Sequence, residues 1–170
     1  MSCPEADPAP DVRPLPPKLQ EIVDFFSSLP EEEKRENLIL YSDAARRHEP
    51  KPGEAGAFDL EDIRKDEECA DTVGIYLAVD AAGGAHFRVT LGAEVQTLTR
   101  AMTSILCKGL DGMSPRDILD VPSTFVPQIV GGVLVRVRSQ TTYYVLTRMK
   151  AVCKVYLDRA RAQAAEASST

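Results

Sequence analysis

The chain has no tryptophan, two histidines in 170 residues, and no pair of cysteines at C-x-x-C spacing. Without a C-x-x-C pair, the usual spacing for zinc or cluster ligation is missing. His48 and His86 are too few and too isolated for a hydrolytic triad. Gly83-Gly84 and Gly131-Gly132 lack the Gly-Lys-Ser/Thr continuation of a phosphate loop and read as turn glycines. No apolar run approaches the length needed to cross a bilayer. The start, Met1-Ser2-Cys3-Pro4-Glu5-Ala6-Asp7-Pro8, has neither a basic beginning nor an apolar stretch. It therefore reads as neither a secretory signal nor an Arg-rich transit peptide. Lys and Arg number 20 against 26 Asp and Glu, for a net charge of −6, and they form no basic stripe. That balance excludes a general nucleic-acid binder. Together these absences predict a cytoplasmic chain with no nucleic-acid or membrane partner. Its four cysteines are then free thiols rather than a disulfide framework.

What is present is ordinary globular composition, 44% hydrophobic and 27% charged, on a chain long enough for one domain with a core. Residues 1–17 hold six prolines and few apolar anchors, and read as a disordered tail. Leu19, Ile22, Val23 and Phe26 recur at helical spacing, with Pro17 suited to the first turn and an end near Ser28. Pro30 opens a second helix to about Arg47, with Glu31, Glu32 and Glu33 at its N-terminus. Its predicted buried face is Leu38, Ile39, Tyr41 and Ala45, and the two helices suggest an αα-hairpin. Residues 49–65 read as a loop. Strands are expected over 72–79 and 85–91, joined at Asp80-Ala81-Ala82-Gly83-Gly84, with Phe87, Val89 and Leu91 facing inward. A helix follows over 95–109. Ser114 caps a short helix with Pro115 at its first position. A further short helix between Pro122 and Gly132 is interrupted by Pro127. Val133–Val137 is a candidate third strand by propensity. A last helix runs from Ser139 to about Gln163, and 164–170 is a frayed tail. The expected fold class is α+β: a small antiparallel sheet packed with helices, in one domain over residues 18–163.

Cys69 lies in Lys65-Asp66-Glu67-Glu68-Cys69-Ala70-Asp71-Thr72, between a charged loop and the first predicted strand. A thiol at a strand entrance can be exposed at a loop tip. Exposure and thiolate character decide whether a cysteine reacts. Asp66, Glu67, Glu68 and Asp71 flank it, and like charges disfavour a thiolate, so a reactive Cys69 needs a compensating cation. The residues alone leave two readings, a nucleophile or an inert thiol. Cys107 and Cys153 sit on apolar helical positions and read as core thiols, while Cys3 lies in the tail.

Three landmarks then fall in order: Cys69 before the hairpin, Met113-Ser114-Pro115-Arg116-Asp117-Ile118 after a helix, and Arg138-Ser139-Gln140 at the start of the last helix. On these the chain resembles the SufE/CsdE family of sulfur acceptors, the Fe–S metabolism-associated domains, from about Leu19 to Lys154. The resemblance implies that Cys69 takes sulfane sulfur as a persulfide from a cysteine desulfurase. Cys69 would then pass it to an Fe–S scaffold protein. The chain would be a sulfur carrier and desulfurase activator rather than a stand-alone enzyme, and a monomer. It would bind no cofactor of its own, the pyridoxal phosphate belonging to the desulfurase. Arg138 would lie near Cys69 or dock the partner, its guanidinium favouring a thiolate or persulfide anion. Gln140 would orient Arg138 or line the pocket, and Ser139 would cap the helix. Val73 or Val126 would shield the thiol in the free protein.

The chain departs from the family at several positions. Glu68 and Ala70 flank the cysteine where the family usually has Gly and a polar residue. Thr141 replaces a common Gly. The family's Trp is absent, and Glu94 alone approximates an acidic segment. Two rival readings stand beside sulfur transfer. One is a non-catalytic protein-interaction module on the same fold, with Cys69 incidental. The other is an Fe–S scaffold, which would need several clustered ligands.

Overall fold

The computed structural model describes residues 14–66 and 71–169. Helix α1 spans Pro17–Ser27 and buries Leu19, Ile22, Val23 and Phe26, the face that the spacing predicts. Helix α2 (Glu31–Asp43) begins with its three glutamates and continues into a 3-10 turn over Ala44–His48. The two helices are not mainly an αα-hairpin. Each is seated on helix α3 (Thr97–Gly109), and the rings of Phe26 and Tyr41 meet between them at 5.6 Å. The buried face of α2 differs from expectation: Ser42, not on the predicted face, is buried. Leu38 is buried, but Ile39 is 53% exposed.

Helix α3 is the centre of the molecule. Thr99, every residue from Ala101 to Cys107, and Gly109 are buried. It touches α1, α2, the 3-10 turn, the sheet and the last helix. At Gly109 an added Cβ would lie 2.9 Å from Leu19 Cδ1, so glycine sets how closely α1 approaches. Buried hydroxyls in α3 are satisfied: Thr103 donates to the Thr99 carbonyl, and Ser104 to the Tyr41 carbonyl of α2.

The sheet has three antiparallel strands in the order β1 (Leu60–Asp66), β2 (Asp71–Val79), β3 (Ala85–Leu91). Val73, Ile75 and Leu77 on β2, with Ala85, Phe87 and Val89 on β3, form the buried face. The third strand is therefore β1, in the stretch read as a loop, and not Val133–Val137. Its sequence, Leu60-Glu61-Asp62-Ile63-Arg64-Lys65-Asp66, hides the signal because an edge strand carries charges rather than apolar alternation. Val133–Val137 instead belongs to helix α6 (Gly132–Val137). One residue, Gly131, separates it from α5 (Val126–Val130), and one, Arg138, from α7 (Ser139–Ser168). So short a tether leaves no room to reach a sheet edge, and context overrides β-propensity.

Helix α4 (Pro115–Leu119) is capped as expected, the Ser114 hydroxyl accepting from the Asp117 N–H at 3.1 Å. Pro127 falls in the first turn of α5, where its missing N–H costs nothing. Helix α7 extends to Ser168, past the predicted end and into the stretch read as a frayed tail. Ser139 is the first helical residue of α7 rather than its cap, because the chain passes nearly unbroken from α6 into α7. At the other end of the chain Leu15 packs against the core and α1 already starts at Pro17, so order begins inside the predicted tail. Among the described residues no helix is long and apolar enough to cross a membrane.

The β2–β3 turn is tied to the turn after α3. The Ala85 N–H donates to the Met113 carbonyl at 2.6 Å and the Gly112 N–H to the Ala85 carbonyl at 2.8 Å. His86 completes the tie, Nε2 facing Asp80 Oδ2 and Nδ1 facing Asp111 Oδ1, both at 2.7 Å. Only the imidazolium can donate from both nitrogens. The Asp80 carboxylate, then that of Asp111, accordingly raises the His86 pKa above its ordinary value. The stabilisation is complete below about pH 6.5, the unfolded value, and is lost as pH rises through the raised folded one. We expect an NMR titration to place His86 above the ordinary imidazole value, and Asp111→Asn to bring it down. A His86 that titrates at or below the ordinary value would contradict the clamp.

Candidate functional site

Cys69 lies outside the described residues. What the structure gives is the stem on either side of it. Asp66 and Asp71 are register partners, the last pair of the β1–β2 ladder, and residues 67–70 join them. The Asp71 end is fixed with care. Its Oδ1 accepts from the Thr72 N–H at 2.7 Å and its Oδ2 from the Glu94 N–H at 2.9 Å. These two N–H groups, that of Glu94 first, hold the Asp71 carboxyl below its usual pKa. Gly92 donates its N–H to the Thr72 carbonyl at 2.9 Å, and a Cβ on Gly92 would lie 2.2 Å from the Asp71 carboxylate carbon. Arg100 in α3 closes the arrangement, its guanidinium donating to the Gly92 and Val95 carbonyls.

Arg138 sits at the joint between α6 and α7 and is exposed. It lines a groove of about 490 Å³ with Arg35, Leu38 and Ile39 of α2, Gln96, Thr97 and Leu98 at the start of α3, and Leu134 of α6. No carboxylate is among these residues. The segment from Gly92 to Leu98 therefore touches the Cys69 stem through Glu94 and the Arg138 groove through Gln96, Thr97 and Leu98. It brings the stem and Arg138 to one end of the molecule. Gln140, exposed in the first turn of α7, is not part of the groove lining. Val73 and Val126, the expected shields of the thiol, are both fully buried.

Sequence reasoning missed a second feature of the stem. Arg148, on α7, is 4% exposed. Its Nε donates to Asp62 Oδ2 at 3.1 Å, and its Nη2 to the carbonyls of Asp62 at 2.8 Å and Val73 at 3.1 Å. Its Nη1 donates to the Tyr144 hydroxyl at 2.6 Å. Asp62 is on β1 and Val73 on β2, so one guanidinium spans both strands of the stem. The signal was available: position 148 falls in the buried strip of Val145, Leu146, Met149, Val152 and Cys153. An arginine in such a strip requires buried partners.

The other described thiols are disabled by burial. Desolvation pushes Cys107 and Cys153 up to about 12. His48 is shifted downward, first by burial and then by the Arg88 and Arg47 cations, so it is neutral near pH 7. Among the described residues no three His, Cys, Asp or Glu side chains converge as a metal site.

The family model described as "SufE: Fe-S metabolism associated domain" matches residues 20–153. The chain belongs to that family. A curated relative, the cysteine desulfuration protein SufE of Plasmodium vivax, is 31% identical over 114 residues, which cover 66% of this chain and 42% of that protein. The chain thus spans less than half the length of that relative. The solution structure of a hypothetical protein from Thermus thermophilus superposes with a TM-score of 0.65 at 24% identity. The match covers 85% of this chain and 99% of that one, and it shows the same fold. Membership of the SufE family accords with the α+β layout.

The packing at the Asp71 end generates a prediction. Gly92→Ala must displace the Asp71 carboxylate from its two N–H partners. The variant is therefore expected to be less stable than wild type. Urea unfolding checks this, and a midpoint equal to that of wild type would show that the stem does not depend on that approach.

Proposed function

We propose that this SufE-family chain accepts sulfane sulfur on Cys69 from a pyridoxal-phosphate-dependent cysteine desulfurase and relays it to iron–sulfur cluster assembly. The Cys69 thiol loses its proton, and the thiolate attacks the outer sulfur of the desulfurase persulfide. A new S–S bond forms on Cys69 as the desulfurase S–S bond breaks and its cysteine leaves as a thiolate. No net oxidation or reduction occurs. The same exchange, run toward an acceptor on an Fe–S scaffold, unloads the sulfur.

The observation that carries this reading is the contrast among the thiols. Cys107 and Cys153 are buried and hard to ionise. Cys69 falls in sequence between Asp66 and Asp71, the last register pair of the β1–β2 ladder. The groove supports a protein partner: its walls are apolar and its two arginines, Arg35 and Arg138, have no carboxylate beside them in the lining. A docking segment that brings apolar side chains and acidic groups would fit it. The same groove favours the second reading, a non-catalytic interaction module, since docking alone does not need Cys69.

Intact-protein mass spectrometry after incubation with a cysteine desulfurase and cysteine separates the two. The wild type should gain one sulfur atom's mass, and Cys69→Ser should not. Cys69→Ser should still bind the desulfurase. A wild type that binds but gains no sulfur would leave the interaction module as the function. Arg35→Glu should weaken desulfurase binding by about tenfold or more, equivalent to about 1.4 kcal/mol, as for an arginine at an interface centre. Titration calorimetry reads this, and an unchanged affinity would remove the groove from the interface.

A further inference from the structure

At the end of α3 far from the Arg138 groove, a second cleft of about 620 Å³ collects cations from across the sequence. Lys18 comes from α1, His48 from the 3-10 turn, His86 and Arg88 from β3, and Lys108 from α3. A row of lysines on one helix is usually a solvated face. Here four elements converge, so folding itself assembles the charge. Asp111, just past α3, is the one carboxylate in the lining, and it is already engaged by His86 at 2.7 Å and Lys18 at 3.2 Å. From outside the lining, Asp80 pairs with His86 and Glu54 with Arg88. Even with those two acids counted, and His86 protonated between its carboxylates, cations are in excess in a chain whose net charge is −6.

The pairing leaves donors over. Arg88 reaches Glu54 through Nε at 3.3 Å and Nη2 at 3.5 Å, longer than the about 2.7–2.9 Å of a well-made charged hydrogen bond. Its Nη1 makes no hydrogen bond among the described residues. The Lys108 ammonium forms no ion pair or hydrogen bond among them either. His48, half-buried beside these groups, reports the resulting field. Burial first, then the Arg88, Arg47 and Lys108 cations hold its pKa down, against the upward pull of Asp111. Two buried residues, Phe87 and Cys107, complete the lining, and poorly solvated surroundings strengthen charge interactions.

We propose that this cleft binds a free small molecule carrying phosphate, its oxygens taken by Arg88 and Lys108, with Lys18 and His86 supplying further positive charge. A guanidinium fork and an ammonium are the side chains that suit phosphate oxygens. The volume falls within the about 300–1,000 Å³ of small-molecule sites, and the lining is too charged for an apolar ligand. A lipid surface or a protein hot spot would call for exposed apolar anchors at the rim. None of the large exposed hydrophobic side chains among the described residues lines this cleft. The site does not involve Cys69, and it stands or falls apart from sulfur acceptance.

The test uses the full chain at constant ionic strength, with pyrophosphate as the probe. Titration calorimetry reads the affinity, and an NMR pH titration reads the His48 ring. Pyrophosphate should bind and raise the His48 pKa, because bound negative charge offsets the cations that hold it down. Lys108→Gln should weaken binding by about tenfold or more, the loss of a charge-assisted hydrogen bond. Lys154→Gln, on the exposed part of α7, should leave the affinity within about twofold, since distant surface charges are screened. Both variants replace exposed lysines, so folding is not at stake. Citrate, a polyanion without phosphate, should bind about tenfold more weakly than pyrophosphate. Vesicles containing phosphatidic acid should not retain the chain. A His48 pKa unmoved by pyrophosphate overturns the site, as do equal losses in Lys108→Gln and Lys154→Gln. Citrate that binds as tightly as pyrophosphate overturns the assignment to phosphate. Retention on the vesicles without binding of free pyrophosphate overturns the small-molecule ligand.

Discussion

Helix α3 has to be surrounded, and the rest of the fold follows from that. An amphipathic surface helix keeps a polar face for water, but α3 keeps almost none: Ala101 through Cys107 are all buried. Each neighbouring element is therefore a wall of its enclosure, α1 and α2 on one side, the sheet and α7 on the others. Its small residues make the enclosure tight. Gly109 admits the Leu19 side chain at a distance no Cβ allows, and Ser104 spends its hydroxyl on the α2 backbone. The two ends of the helix then do the work at the surface. Its start offers Gln96, Thr97 and Leu98 to the Arg138 groove. Its end leads into the turn that receives Ala85 and the carboxylate that faces His86.

The legible parts of the sequence were those in which one local rule and the tertiary environment agree. Phe87 and Val89 alternate with polar residues because one face of β3 is buried and the other is not. Ser114-Pro115 starts a helix because a hydroxyl cap and a fixed φ act in the same place. The failures have the opposite cause. β1 buries Leu60 but leaves Ile63 and its charges outside, so its strand character comes from pairing with β2 and not from its own pattern. Val133–Val137 has strong β-propensity, yet it is held between two helices by single-residue joints, and Val137 is 70% exposed in a helix. The site was legible as an order of landmarks, which rested on resemblance, and not as geometry. Arg138 could be singled out from its motif. Arg35, which shares its groove, could not, since only folding brings α2 to α6. Arg148 was readable in principle, as a cation within a buried strip.

Charge is the main physical objection to a reactive Cys69, because acids flank it in sequence. The described part of the site shows how some of that charge is contained. The Asp71 carboxylate accepts two backbone N–H groups, with the Lys65 and Arg100 cations also acting on it. The Asp62 carboxylate is held between Arg64 and Arg148. Neither Asp71 nor Asp62 is a bare charge, and both Arg100 and Arg148 are themselves held by backbone carbonyls.

Selection among the cysteines follows from the same physics. A thiol at its ordinary value of about 8.5 is a few per cent ionised at pH 7. One pushed up to about 12 by desolvation, as Cys107 and Cys153 are, stays protonated at that pH. Thiol–persulfide exchange proceeds through the thiolate, so burial alone disfavours these two as acceptors before access is considered. A sulfur carrier needs that asymmetry. A second ionisable thiol inside the same domain could take the sulfane sulfur from the first and bury it where no scaffold could reach. The apolar surroundings of Cys107 and Cys153 keep both out of such competition.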